Sequence, residues 1–242
     1  MDSMIIPKAY LDNLLVLSKS GRESTIYLSE DGNKVFKIYL NTGFKKPTKE
    51  KIYELYKKQS KIFNTILPSG LLFTYNEQNH REFIGIILRY FKNYVSIDTL
   101  EESENVDMNS ILLNLINNIK ELTDNNIYPT DLNSKNILVL PATSDVQVID
   151  LDGDHCVVSN QMEHEKLNEI YEMLLYRIYS PIRENSQEID IAIRKYGYDV
   201  LLTYGYSIEL VKLLKKEQQI NYDKLINIIN ELYPKKEISH KI

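Results

Sequence analysis

The spacing of apolar residues changes along the chain and divides it into a strand-rich front and a helical back. In the front, short or alternating apolar runs predict strands at LLVLSKS, STIYLSE and KVFKIYL, and EDGN at 30–33 suits a hairpin turn. A later run, LLFTYNEQNHREFIGIILRYF, predicts a second hairpin that turns at 76–80. We therefore expect an antiparallel sheet in the first part of the chain.

Helical spacing appears first after Pro47 and Thr48, two residues that suit a helix start. Residues on the inner face of that helix would be Ile52, Leu55, Tyr56, Gln59 and Ile62. From Met108 a longer amphipathic helix is predicted, with Ile111, Leu112, Leu115, Ile116, Ile119 and Leu122 on one face. A second pair of strands follows it, and the chain from about residue 160 is again helical. The pattern predicts an α+β fold.

Composition and charge narrow the function classes. The chain has 242 residues and a formal net charge of -5, whereas a protein that coats nucleic acid needs a basic surface. No apolar run approaches the ~18 residues that span a bilayer, and the N-terminus carries Asp2, Pro7 and Asp12 where a signal peptide has a basic start and an apolar core. The single cysteine, Cys156, excludes an intramolecular disulfide. We expect a cytoplasmic protein with no membrane span and no nucleic-acid partner.

Two polar loops follow or precede buried strands in the middle of the chain. YPTDLNSKNILVL places Asp131 five residues before Asn136, at the start of an apolar strand. VQVIDLDGD places Asp150 and Asp152 at the end of the next strand. Magnesium prefers carboxylate and amide oxygens, and a carboxylate can also accept the proton of an attacking hydroxyl. These loops are candidates for a functional site.

Taken with three features of the front half, these loops resemble the protein-kinase-like fold. The features are Gly21 in the turn of KSGRESTIY, Lys37 on the strand KVFKIY, and Glu54 on the helix that follows. The family pattern H-R-D-x-x-x-x-N corresponds to 129–136, and D-F-G corresponds to 150–152. The resemblance covers nearly the whole chain in order and is best over 108–154.

The resemblance implies a role for each matching residue. Asp131 and Lys37 would be catalytic, with Lys37 on the α and β phosphates of ATP and either Glu54 or Glu50 pairing with its ammonium. Magnesium would be held by Asn136, Asp150 and Asp152. The remaining nucleotide contacts would come from Gly21 and Ser24 near the phosphates, and from Val35, Leu88 and the hinge residue Tyr90 around the adenine.

Several positions depart from the family pattern. Only the middle glycine of the glycine-rich loop, Gly21, is present, and Thr130 replaces the arginine of the catalytic loop. Asn133 stands where protein kinases commonly have a lysine, and Asp152 replaces the glycine of D-F-G. IDLD matches the I-D-x-D of aminoglycoside and choline phosphotransferases, and no A-P-E motif follows it. These departures favour an atypical or small-molecule kinase.

The sequence thus predicts one kinase-like domain over 1–242, with a sheet-containing N-lobe (1–88), a hinge (89–91) and a shortened helical C-lobe (92–242) that clamp ATP between them. The predicted activity is ATP- and magnesium-dependent transfer of the γ-phosphate to a hydroxyl, foremost of a protein serine or threonine. Two alternatives stay open. One is a small-molecule kinase acting on a sugar, an amino alcohol or an aminoglycoside-like compound, and the other is a catalytically silent nucleotide-binding interaction module.

Overall fold

The protein has an α+β fold whose largest sheet is mixed but mainly antiparallel. The computed structural model describes residues 1–18, 23–40, 46–62, 65–100, 106–153, 156–179, 186–215 and 220–235. The chain forms two compact units. Unit 1 contains Met1–Asn93 and Asp150–Val158, and unit 2 contains Tyr94–Ile149 and Ser159–Ile242. The sequence placed 150–158 with the back half, whereas this segment packs with the front residues.

Unit 1 is built on a six-stranded sheet with the strand order β1-β5-β6-β4-β3-β2. The strands are β1 (Asp2–Ile5), β2 (Leu15–Ser18), β3 (Ser24–Leu28), β4 (Lys34–Tyr39), β5 (Gly70–Tyr75) and β6 (Arg81–Arg89), with helices α1 (Lys8–Leu11) and α2 (Lys49–Lys58). Strand β1 runs parallel to β5, and the other neighbouring strands run antiparallel. The predicted antiparallel hairpins β3–β4 and β5–β6 are both confirmed.

The turn between β3 and β4 has the chemistry that its sequence predicts. Gly32 adopts a left-handed conformation with φ +68°, which glycine reaches without a steric penalty. The Ser29 hydroxyl donates to Asp31 Oδ1 at 2.6 Å and accepts a hydrogen bond from the Lys34 amide at 3.0 Å. The turn sets the register that pairs Ile26 with Lys37.

Alternation along β4 sends its side chains to two environments. Phe36 belongs to the buried apolar cluster of unit 1, whose other members are Ile6, Leu11, Leu14, Leu72, Ile84 and Ile87. Because successive side chains in a strand point to opposite faces, Val35, Lys37 and Tyr39 share the other face. All three are buried there. A lysine is rarely buried unless it is paired, so this face requires a counter-charge.

Helix α2 begins where the sequence predicts. The Thr48 side chain accepts a hydrogen bond from the Lys51 amide at 3.2 Å, which satisfies one of the unpaired N–H groups of the first turn. Ile52 and Leu55 are completely buried, while Glu50 and Glu54 are exposed. The predicted inner face of α2 is therefore confirmed at its apolar positions.

Unit 2 is organised around the long helix α3. Its helices are α3 (Met108–Asp124), α4 (His164–Tyr179), α5 (Ser186–Tyr196), α6 (Ile208–Lys215) and α7 (Tyr222–Leu232), and its strands are β7 (Val95–Ser96), β8 (Ile127–Pro129), β9 (Ile137–Leu140) and β10 (Asp145–Val148). All six apolar residues predicted for the inner face of α3 are at most 1% exposed. Strands β9 and β10 pair antiparallel, and a last strand, β11 (Cys156–Val158), belongs to unit 1.

None of the described helices is both long and apolar enough to cross a lipid bilayer.

Candidate functional site

Lys37 lies at the centre of a buried ionic network in unit 1. Lys37 is 7% exposed. Its Nζ donates hydrogen bonds to Asp150 Oδ1 and to Asp152 Oδ1, the second at 2.8 Å. These acids lie 113 and 115 residues further along the chain. The structure therefore brings together three of the residues that the sequence predicts for phosphate and metal binding.

Asp152 is the more deeply buried of the two acids. It is 2% exposed, and both of its carboxylate oxygens are occupied. Oδ1 accepts from Lys37, while Oδ2 accepts from the Tyr39 hydroxyl at 2.6 Å. The Tyr39 ring packs against Phe83 with a centroid separation of 5.8 Å. Tyr39 and Lys37 are two residues apart on one face of β4, so both reach the same carboxylate.

Asp150 differs from Asp152 in its backbone and in its exposure. It adopts φ +65°, in the left-handed region that few residues other than glycine, asparagine and aspartate occupy. Its side chain is 27% exposed. Oδ1 accepts from Lys37, whereas Oδ2 accepts no hydrogen bond from the described part of the chain. Such strained conformations cost about 1–3 kcal/mol and concentrate at functional sites.

The network changes the proton affinities of its cation and its phenol. Burial alone would lower the pKa of Lys37, but the adjacent carboxylates of Asp152 and Asp150 outweigh it and raise the pKa above its ordinary value. Burial, and then the charge of Asp152, raise the pKa of the Tyr39 hydroxyl. Lys37 is therefore a fixed cation and Tyr39 a fixed hydrogen-bond donor at neutral pH.

Helix α2 contributes to this region through a lysine. Glu54 and Glu50, the two predicted partners of Lys37, are exposed, and among the described residues neither forms an ion pair with it. Instead, Lys51 Nζ donates to the carbonyl oxygens of Gly153 and Cys156. The helix thus contacts the backbone of the segment that follows Asp152.

The second cluster lies in unit 2, in the loop between β8 and β9. Asn136 Nδ2 donates to the Asp131 carbonyl at 3.0 Å and to Asp131 Oδ2 at 3.2 Å, and Asn133 Nδ2 donates to the same Oδ2 at 2.9 Å. Asn133 Oδ1 accepts from the amides of Lys135 and Asn136, which begins a short 3-10 turn over Ser134–Asn136. Two amides therefore hold the Asp131 carboxylate in one orientation.

Asn136 is anchored in a way that leaves its carbonyl oxygen available. The residue is 9% exposed, and its main-chain carbonyl accepts from the Ile149 amide at 2.9 Å. Because its side-chain nitrogen supplies both hydrogen bonds to Asp131, Oδ1 is left as an acceptor. No described residue donates to that oxygen.

A cleft that is partly open to solvent adjoins Asp131. Its walls are supplied by the loop and by the helical part of unit 2: Asp131, Leu132, Asn133, Met173, Tyr176, Arg177, Ile189 and Tyr206. Arg177 is 4% exposed, and the rings of Tyr176 and Tyr206 meet edge to face with centroids 6.4 Å apart. The cleft combines one carboxylate, one guanidinium and apolar or aromatic walls.

The remaining residues that the sequence predicts to contact the nucleotide lie at several positions in unit 1. Val35 and Leu88 are cross-strand partners on β4 and β6, and Ser24 is buried at the start of β3 opposite Tyr39. The Tyr90 amide, predicted to face an adenine base, donates to the Asn33 carbonyl at 3.1 Å. Gly21 lies outside the described residues.

Sequence reasoning missed three side chains of these clusters. Tyr39 could have been found from its spacing, since the residue two positions from a strand lysine shares its face. Asn133 was noted as a departure, yet an asparagine two residues after an aspartate is also a common turn former. The contact of Lys51 with the backbone after Asp152 carries no local sequence signal.

Comparisons with known proteins return no similarity: neither the family models nor the curated proteins that were searched match this sequence. No group of three or more His, Cys, Asp or Glu side chains within the described ranges is arranged to hold a metal ion. Magnesium is commonly bound through one or two carboxylates together with substrate phosphates, and Asp150 Oδ2 and Asn136 Oδ1 are oxygens of the kind it prefers.

Proposed function

We propose that this chain is an ATP- and magnesium-dependent phosphotransferase of the protein-kinase-like fold, which transfers the terminal phosphoryl group to a hydroxyl. The observation that carries the proposal is the meeting of Lys37 with Asp150, residues 113 positions apart that the sequence pattern had assigned to phosphate and to metal. The left-handed backbone of Asp150 supports it, because strain of this kind is retained at functional positions.

Each cluster has a defined part in this proposal. Lys37 binds phosphate oxygens with a permanent positive charge, and Asp150 would be a ligand of Mg²⁺, which neutralises charge on the phosphates when it is bound. Asp131 accepts the proton of the attacking hydroxyl, and the amides of Asn133 and Asn136 keep its carboxylate oriented for that task. The oxygen donors of these residues suit magnesium in type.

The acceptor that the sequence favours is a protein serine or threonine. The cleft beside Asp131 is the specific observation that favours a second candidate, a small hydroxyl compound. Its mixture of apolar walls with a few polar groups is typical of ligand sites.

The test is incubation of the purified protein with γ-labelled ATP and Mg²⁺, with and without a metabolite extract. The wild type should transfer label and Asp131→Asn should lose at least a hundredfold in rate, because general-base catalysis contributes about 10²–10⁴-fold. Asp124→Asn is the matched control, since Asp124 forms only an exposed pair with Lys120 on the surface of α3.

Where the label appears decides between the acceptors. Label on protein supports a protein kinase, and label on a dialysable compound supports a small-molecule kinase. If the protein bound ATP but transferred no label under any of these conditions, the phosphotransferase proposal would be wrong and a nucleotide-binding interaction module would replace it.

A further inference from the structure

The two acids of the IDLD segment, Asp150 and Asp152, have different surroundings. We propose that Asp152 and Tyr39 are positioning residues that hold the Lys37 ammonium in place, and that Asp152 is not a metal ligand. The inference rests on the proposed function, because it assigns how the lysine of that site is fixed. It also replaces the expectation that a glutamate of α2 fixes Lys37 and that Asp152 binds magnesium.

The surroundings of Asp152 leave no place for a hydrated ion. One carboxylate oxygen accepts from Lys37 at 2.8 Å and the other accepts from the Tyr39 hydroxyl at 2.6 Å. The residue is only 2% exposed. Magnesium dehydrates reluctantly and usually keeps several of its water molecules, so its ligands need open space on the metal side.

Asp150, unlike Asp152, has a carboxylate that is partly open to solvent. Its side chain is 27% exposed, and one of its oxygens accepts nothing from the described residues. The left-handed conformation at Asp150 turns the chain between these two carboxylates. One acid of the pair can therefore face a metal while the other stays in the protein interior.

Tyr39 fixes the direction of the Asp152 carboxylate. Its ring is held against Phe83, and its hydroxyl is the only polar group of the side chain. A buried carboxylate with a single cationic partner could rotate, whereas donors on both oxygens define its plane. Since Lys37 and Tyr39 come from the same face of one strand, their separation is set by the strand geometry.

Lys51 extends this arrangement to α2. Its ammonium donates to the carbonyls of Gly153 and Cys156, one and four residues after Asp152. In this protein the helix therefore contacts the backbone of the acidic segment through a cation. The exposed glutamates of α2 are not needed for it.

The test compares Tyr39→Phe, Asp152→Asn and Asp150→Asn by calorimetric titration with ATP, first in EDTA and then in Mg²⁺. Tyr27→Phe is the matched control, since it removes a hydroxyl from the neighbouring strand β3 without touching the network. Tyr39→Phe should weaken metal-free ATP binding about five- to tenfold, and Asp152→Asn by at least as much, because Lys37 is no longer held. Both should keep the fold-increase in affinity that Mg²⁺ produces.

Asp150→Asn should show the opposite pattern. Although Lys37 loses one carboxylate partner, Asp152 and Tyr39 still hold it, so metal-free ATP binding should be retained and the Mg²⁺-dependent increase lost. If Asp152→Asn instead behaved like Asp150→Asn, Asp152 would be a metal ligand and the inference would be wrong. A merely structural role for Tyr39 would leave ATP affinity unchanged in the folded variant, which also contradicts it.

A second measurement does not depend on ATP. The urea midpoints of Tyr39→Phe, Asp152→Asn and the double variant should be non-additive, because residues that share a hydrogen bond are coupled. Additive shifts would contradict the positioning role but not the proposed phosphotransferase function. Failure of the wild type to bind ATP would contradict the proposed function, and the positioning role with it, so the two failures are distinguishable.

Discussion

Replacing Lys37 with methionine should destabilise the protein as well as remove a phosphate-binding group. Lys37 is 7% exposed and is the partner of two carboxylates, one of which is 2% exposed. Methionine fills a similar volume but leaves Asp150 and Asp152 as adjacent negative charges without a cation. Removing one partner of a buried ion pair costs about 3–5 kcal/mol, because the other charge stays buried without compensation. We expect a loss of that size in unit 1.

The assay is urea unfolding at pH 7, followed by far-UV circular dichroism and by the fluorescence of the 18 tyrosines, since the chain has no tryptophan. Hydrogen exchange of the β4 amides locates the loss, because two compact units need not unfold in one step. Lys34→Met is the matched control: Lys34 lies on the same strand but is exposed, so its replacement should change stability by less than about 0.5 kcal/mol.

A double variant tests the cause. Lys37→Met with Asp152→Asn removes one of the two stranded charges and should recover part of the lost stability, although each single change is destabilising. Two outcomes would refute the ionic account of this region. In the first, Lys37→Met is as stable as Lys34→Met. In the second, adding Asp152→Asn to Lys37→Met lowers stability by as much as Asp152→Asn does alone.

Two further predictions concern the scaffold of each unit. Asp107 caps α3, accepting from the Ser110 amide at 3.2 Å and from its hydroxyl at 2.6 Å, and these hydrogen bonds lower the pKa of its carboxyl. Asp107→Ala should cost about 1 kcal/mol at pH 7. Because the pKa of Asp107 is lower in the folded state, the stability difference between wild type and Asp107→Ala is fully present above the unfolded-state pKa of about 3.9. It should vanish as the pH falls through the folded-state pKa. Asp107→Asn should stay near wild type in urea titrations at pH 7. In unit 1, a Cβ at Gly85 would collide with the Lys37 carbonyl oxygen, so Gly85→Ala should shift β4 and lower the melting temperature and ATP affinity together. Gly32→Asn is the control, since no atom lies within 4 Å of its Cβ position and asparagine tolerates positive φ; equal melting temperatures for the two variants would contradict the close-approach argument.

Local pattern predicted most of the elements because their signals lie within a few residues. The apolar face of α3, the Thr48 cap and the two hairpins follow from 3.6-residue spacing, a capping side chain and turn residues. Strand β1 was missed because all four of its residues are exposed and it pairs in parallel with β5, so no alternation marks it. The two-residue strand β7 is too short for any periodic signal.

The sequence selected Lys37, Asp150 and Asp152 but not their pairing, and the reason is the distance along the chain. Within the loop of unit 2, Asp131 and Asn136 are only five residues apart, so their contact is local in the sequence. Lys37 had two glutamates nearby on the next helix, and a pairing inferred from sequence naturally chose one of them. The choice between a glutamate of α2 and an acid 115 residues away depends on which faces of the sheet and helix are buried. Burial selects the acid here: Asp152 reaches Lys37 from inside the unit, where an uncompensated ammonium would be costly, while Glu54 stays in water, where an ion pair would add about 0–1 kcal/mol.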